Sequence, residues 1–220
     1  MTESEARAEI VRVGRSLFER GYVHASAGNI SVRLPDDAGY LITPTDACLG
    51  FLQPERLAHV APDGTQRSGD RASKTLALHR RIYEAAPEAG CVIHTHSTHL
   101  VALTLAGVWS EGDVLPPITP YFVMKVGHVP LIAYHRPGDP AVAELVAARI
   151  AAMAARGTPI RAVLLERLGP NVWHRTPAEA SAVLEELEET ARLWLTVTPR
   201  PAPLDEVRIE ALRRAYGASW

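Results

Sequence analysis

A short β-rich run, Cys91-Val92-Ile93, ends in His94-Thr95-His96 and passes almost directly into a helical pattern, Leu100 to Ala106. This stretch constrains the fold more than any other. Side chains on a strand repeat every second residue, so His94 and His96 point to the same side. Their imidazoles can converge on one cation, as the first two ligands of a first-row metal do. Two half-buried histidines at a strand end would have the same local sequence, so the other ligands must come from elsewhere in the chain.

The surrounding pattern alternates helices with β segments. Residues 4–20 read as an amphipathic helix stopped by Gly21. His24 to Arg33 is a small-residue turn around Gly28 followed by a strand, and its N–H groups with Ser26 and Asn29 suit an anion. Tyr40 to Ile42 is a strand that becomes a loop near Thr43 because of Pro44. Val60 to Arg67 reads as a hairpin, and the polar loop 68–74 opens a helix over 75–86 with His79 on its inner side. After the HxH stretch, the prolines at 116, 117 and 120 exclude a regular central strand. Val129 to Tyr134 reads as a strand. Asp139 and Pro140 start a long Ala-rich helix closed by Gly157. Ile160 to Leu165 is a buried strand, Gly169-Pro170 a turn, and Asn171 to His174 a short continuation. Thr176-Pro177-Ala178-Glu179 opens a helix to about Thr196, and a linker at 199–203 precedes a last helix over 205–216. Such alternation predicts an α/β layered fold, one domain over 1–220.

The net charge of −2 argues against nucleic acid as a partner, since phosphate binding rests on excess Lys and Arg. No apolar run reaches membrane-spanning length, and the acidic start is unlike a signal peptide. Cys48 and Cys91 make no disulfide framework, so a cytoplasmic protein with free thiols is expected. Of 23 basic residues only Lys74 and Lys125 are lysines. Codon bias explains such scarcity, and so does a need for a compact ammonium at those two sites.

Taken together, Ala27-Gly28-Asn29-Ile30-Ser31 with Arg33, Leu41-Ile42-Thr43-Pro44-Thr45, the Ser73 loop and His94-Thr95-His96 resemble the class II aldolase/adducin family from end to end. The resemblance implies a three-layer α/β/α sandwich with a largely antiparallel central sheet, a homotetramer, and a divalent metal, zinc first, with Mn, Co or Fe as alternatives. Within the family, Ala72-Ser73-Lys74, His96-Ser97-Thr98-His99 and the run from Met124-Lys125 to Arg136-Pro137-Gly138-Asp139-Pro140 are similar to members that decarboxylate a 3-oxo-tetronate 4-phosphate. The implied reaction turns this phosphorylated sugar acid into dihydroxyacetone phosphate and CO2. A sugar-phosphate aldolase, an epimerase and a non-catalytic member are the alternatives.

The resemblance places Lys74 where aldolases carry a glutamate base. A β-keto acid loses CO2 without removal of a hydroxyl proton, so an ammonium that holds the carboxylate suits this chemistry better. A metal would polarise the keto oxygen and stabilise the enediolate. Tyr121 falls at the family's proton-donor position, and Ser26, Asn29, Thr45 and Ser73 at its phosphate-contacting positions. Asp46 stands where aldolases often have glycine. The third metal histidine of the family is replaced by Leu168, in Glu166-Arg167-Leu168-Gly169-Pro170. His135 is expected first as the substitute ligand, ahead of His99 and Glu166. A degraded site is the remaining alternative.

Overall fold

The computed structural model describes residues 1–220. Its centre is one eight-stranded sheet: β1 (Asn29–Arg33), β2 (Tyr40–Ile42), β3 (Ala58–Val60), β4 (Gln66–Ser68), β5 (Cys91–His94), β6 (Leu131–Ile132), β7 (Ala162–Leu165) and β8 (Gly169–His174). The strand order is β4-β3-β2-β1-β5-β8-β7-β6. Every neighbouring pair is antiparallel except β6 with β7. The helices are α1 (Glu3–Glu19), α2 (Leu76–Ala85), α3 (Thr98–Ala106), α4 (Ala141–Ala155), α5 (Pro177–Thr196) and α6 (Glu206–Tyr216).

Period-two alternation sorts the strands' side chains into two cores. Ile30, Val32, Cys91, Ile93 and Val172 pack with α1, α3 and α5. Val92, Val163 and Trp173 face the other way, against Ile82 and Tyr83 of α2 and Val146 and Ile150 of α4. The result is the expected α/β/α sandwich. β5 sits near its middle, between β1 and β8.

Several boundaries differ from the sequence reading. Only Leu131–Ile132 of the expected 129–134 strand pairs, at the sheet edge. Gly169 and Pro170 are not a turn: they pair with Leu165 and Leu164, and the chain reverses over 166–168 instead. Arg167 takes the left-handed conformation that this tight reversal requires, with φ +62°. Residues 122–126, left unassigned by the proline-rich sequence before them, form one turn of π-helix.

The start of α3, directly after the HxH segment, is capped from another helix. Ser97 provides no side-chain cap. Glu188 of α5, only 3 % exposed, accepts from the N–H groups of His99 and Leu100 and from His99 Nδ1, at 2.8 to 3.0 Å. A buried carboxylate at a helix N-terminus meets both the orphan donors and the helix dipole. We expect Glu188→Ala to destabilise the fold by about 2–4 kcal/mol. Glu188→Gln, which keeps an accepting oxygen, should cost less than half of that in urea denaturation.

Candidate active site

The HxH segment is pinned on both sides. The N–H of Thr95 donates to the Pro170 carbonyl at 3.3 Å. Thr95 and Ser97 share a hydroxyl–hydroxyl bond of 2.6 Å, and Ser97 Oγ donates to the Tyr22 carbonyl. Gly28 and Gly169 close the packing: a Cβ on Gly28 would stand 2.7 Å from the His94 carbonyl oxygen, and one on Gly169 2.1 Å from that of Thr95. Both glycines also have positive φ, +86° and +123°.

His94 is 5 % exposed, and its Nδ1 lies 2.8 Å from the Pro170 carbonyl oxygen. A carbonyl can only accept, so Nδ1 carries the proton and Nε2 keeps its lone pair. This is the anchoring by which proteins orient imidazole ligands. The His96 ring lies 5.1 Å from that of His94, edge to face. Burial, helped by His96, pushes the His94 pKa down to about 4 despite the opposing hydrogen bond to Pro170. Burial, then the charge of His24, lowers that of His96. Both effects favour the neutral imidazole that a cation needs.

Strand register lines up Asn29, His94 and Asn171 side by side on the face toward α2. Asn29 Nδ2 donates to Thr75 Oγ1 at 3.2 Å, and Thr75 shares a bond with Ser73 Oγ at 3.3 Å. One turn further along α2, His79 Nδ1 and Tyr83 Oη both bond Ser31 Oγ at 2.8 Å. Asn29 Oδ1, His79 Nε2 and both polar atoms of the Asn171 amide are buried without a protein partner. Each such atom costs about 1–3 kcal/mol unless water or a ligand completes it. That is a large sacrifice in a fold whose net stability is typically about 5–15 kcal/mol. A row of this kind beside His94 marks a place built for polar chemistry.

The loops expected to hold phosphate are stitched together. Thr45 donates its N–H to the Arg71 carbonyl and its hydroxyl to that of Ala72, both at 2.9 Å, and the Ser73 N–H reaches the Thr43 carbonyl at 3.3 Å. Asn29, Thr45 and Ser73 thus belong to one connected assembly, with Ser26 exposed at the loop before it. Asp46 is exposed and left-handed, φ +59°, a conformation in which glycine is the usual residue. A cavity of about 390 Å³ opens on the outer side of this loop, lined in part by Thr45, Asp46, Arg56 and Arg71. It contains neither histidine, so the chemistry is read from the HxH row.

Three expected residues share no hydrogen bond or ion pair with the histidine pair. Lys74 is exposed, and the ion pairs around α2, Arg81 with Glu84 and Glu144, do not include it. Tyr121 is 59 % exposed. His135 does not join the pair: its Nδ1 faces Asp139 at 3.5 Å, and no three His, Cys, Asp or Glu side chains gather into a cation site. The other substitutes are engaged too, His99 with Glu188 and Glu166 with the Tyr134 N–H. Leu168 packs its side chain against the apolar α2/α4 core. The donor set present fits a divalent cation held by two imidazoles, with its remaining positions left to water or substrate oxygens. Sequence reasoning missed Thr75, Asn171 and Arg71. A polar residue at an inward strand position, as Asn171 is, was the one available signal.

Residues 8–195 match the class II aldolase and adducin N-terminal domain, and the chain belongs to that family. It is 59 % identical to the 3-oxo-tetronate 4-phosphate decarboxylase of Cupriavidus necator, over 100 % of this chain and 99 % of that one. It is 43 % identical to the Escherichia coli K12 protein of the same name, over 90 % of each. The crystal structure of YgbL from Klebsiella pneumoniae superposes with a TM-score of 0.87 at 43 % identity, covering 97 % of this chain and all of the other.

His79 offers a test of the buried row. Burial, then the charge of His94, lowers its pKa to about 3. A histidine kept neutral in the fold stabilises it above the unfolded pKa near 6.5, and that stability is lost as pH falls toward the folded value. Between pH 6.5 and 5 we expect each of His79 and His94 to remove about 2 kcal/mol. His79→Gln should flatten this acid limb of the urea midpoint by roughly half.

Proposed function

We propose that this chain decarboxylates a 3-oxo-tetronate 4-phosphate to dihydroxyacetone phosphate and CO2. The 59 % identity along the whole chain to a decarboxylase of that name carries the reading. The site supports it. In the reaction the bond between the carboxylate and C2 breaks, the electron pair moves into the neighbouring C3 carbonyl, and a proton delivered to C2 completes the ketone. Ser26 and the second amide hydrogen of Asn29 are free to donate to the phosphate, and the Thr45 and Ser73 hydroxyls, engaged with Ala72 and Thr75 in the free protein, turn to it on binding. Arg71, beside Thr45 in the outer cavity wall, offsets the charge of Asp46. Lys74, free of a protein carboxylate, holds that of the substrate until it departs as CO2. Tyr121 delivers the proton to C2. His94 and His96 hold the divalent cation, zinc first, which supplies Lewis-acid polarisation of the keto oxygen when bound.

The exposed rings of Tyr121 and Tyr134 support a homotetramer in which neighbouring copies cover them. Free thiols at Cys48 and Cys91 support a cytoplasmic setting. No helix is long and apolar enough to cross a membrane.

The assay supplies freshly generated 3-oxo-tetronate 4-phosphate and follows CO2 and dihydroxyacetone phosphate above the spontaneous rate. Equal amounts of both are expected, with no aldehyde. Lys74→Met should lower kcat/KM by about 100-fold or more. Aldehyde without CO2 would show retro-aldol chemistry and sink the proposal.

A further inference from the structure

Each donor assigned to the phosphate above is neutral, yet a phosphate ester carries close to two negative charges at neutral pH. Thr45, one of those donors, shares the wall of the outer cavity with four charged side chains, Asp46, Arg56, Asp70 and Arg71. Two of them satisfy each other, since Arg56 Nε donates to Asp70 Oδ2 at 2.6 Å. Asp46, directly after Thr45, repels an anion held there. Arg71 is exposed, and its guanidinium belongs to no ion pair, whether with Asp46, with Asp70 or elsewhere in the chain.

The main chain of Arg71 is as fixed as its side chain is free. Its carbonyl accepts from the Thr45 N–H at 2.9 Å. Gln66 of β4 ties down both flanks: Nε2 donates to the carbonyls of Gly69 and Asp70 at 3.1 and 2.8 Å, and Oε1 accepts from the Ala72 N–H at 3.1 Å. A Cβ on Gly69 would stand 2.2 Å from the Leu57 carbonyl oxygen, so the loop packs there backbone to backbone. A guanidinium without a partner, carried on a loop held this firmly, is organised in advance for an anion.

Resting on the decarboxylase reading, we infer that Arg71 is the residue by which the site selects a phosphate ester over the unphosphorylated acid. Its guanidinium donates to phosphate oxygens beside Thr45 and outweighs the repulsion from Asp46. The planar fork of arginine matches two phosphate oxygens at once, and its charge persists at any working pH. The other free cation of this loop, Lys74, follows three residues later, at most about 10 Å along the chain. One loop then meets both charged ends of the substrate: Arg71 takes the phosphate, which stays, and Lys74 the carboxylate, which departs. A substrate without phosphate leaves Arg71 unpaired and gains nothing from it.

The test compares Arg71→Gln with Arg71→Lys in the full-length protein. Both substitutions leave the loop's bonds in place, because these use main-chain atoms of residues 69–72. Calorimetry measures Kd at two ionic strengths for dihydroxyacetone phosphate, which carries the phosphate and has no carboxylate to lose. Arg71→Gln is expected to weaken binding about 10- to 100-fold at low salt. Added salt should weaken the wild-type complex more than that of the variant. Arg71→Lys, which keeps the charge without the fork, should recover part of the loss. In turnover, Arg71→Gln should raise KM more than it lowers kcat. It should also lower the ratio of kcat/KM between phosphorylated and unphosphorylated 3-oxo-tetronate by a similar factor. An unchanged Kd in Arg71→Gln, a lysine variant no better than the glutamine one, or a loss confined to kcat overturns the inference. CO2 release alongside an unchanged Kd leaves the decarboxylase reading standing and removes Arg71 from it. Absence of CO2 release removes that reading, and the calorimetric comparison still decides the role of Arg71.

Discussion

The bond from His94 Nδ1 to the Pro170 carbonyl ties the end of β5 to the start of its neighbour β8 in the middle of the sheet. It holds the tautomer that leaves Nε2 free, and it exists only because β8 begins at Gly169 rather than two residues later. The same pairing seats Gly169 against the Thr95 carbonyl, where no side chain fits. Ring orientation, strand register and the 166–168 reversal are therefore one constraint. Moving the register by a single residue would turn His94 into the α1/α3/α5 core and Ile93 into the site.

Around that constraint the fold spends stability on polarity. Antiparallel pairing places Asn29 and Asn171 on either side of His94, and α2 lays Thr75 and His79 along the Asn29 and Ser31 positions of β1. A sheet face meant only for packing would carry valine or isoleucine there, as Val92 and Val163 do beside the row. Desolvation keeps the imidazoles neutral at physiological pH. Neutral, oriented nitrogens next to unpartnered amides form a surface that gains by meeting a polar ligand.

The helical side of the site is equally economical. Glu188, far along in sequence, caps α3 and bonds His99 Nδ1, so one carboxylate both holds the helix that follows the HxH segment and fixes the ring of its third histidine. Sequence proximity made His99 an alternative ligand, but distance along the chain does not say which face a helix turns to its neighbours, and Glu188 on that face was not visible from it. His135 illustrates the same limit: its partner is Asp139, one helical turn away in sequence, and not the distant pair it was expected to join.

Local signals sufficed for what local physics decides. Alternation located β1, short apolar β-rich runs located β2, β5 and β7, and Asp205, Thr176 and the glycines at 21 and 157 marked helix ends where the structure has them. Turn chemistry around Gly28 pointed to Ser26 and Asn29 as anion donors, whereas Thr45 and Ser73 entered as phosphate-loop candidates only through the family resemblance. The His94–His96 pair was legible from its two-residue spacing, although β5 ends at His94 and the rings meet edge to face just beyond it. Which atoms meet across the sheet was not. Thr75 reaching Asn29, Asn171 standing beside His94, and Leu168 turning into the core depend on pairing between segments tens of residues apart. The sequence alone determined the layered fold and the two imidazoles, since both follow from short-range periodicity. Only the tertiary structure showed that no third His, Cys, Asp or Glu of this chain gathers beside them, because that depends on where every competing partner already sits.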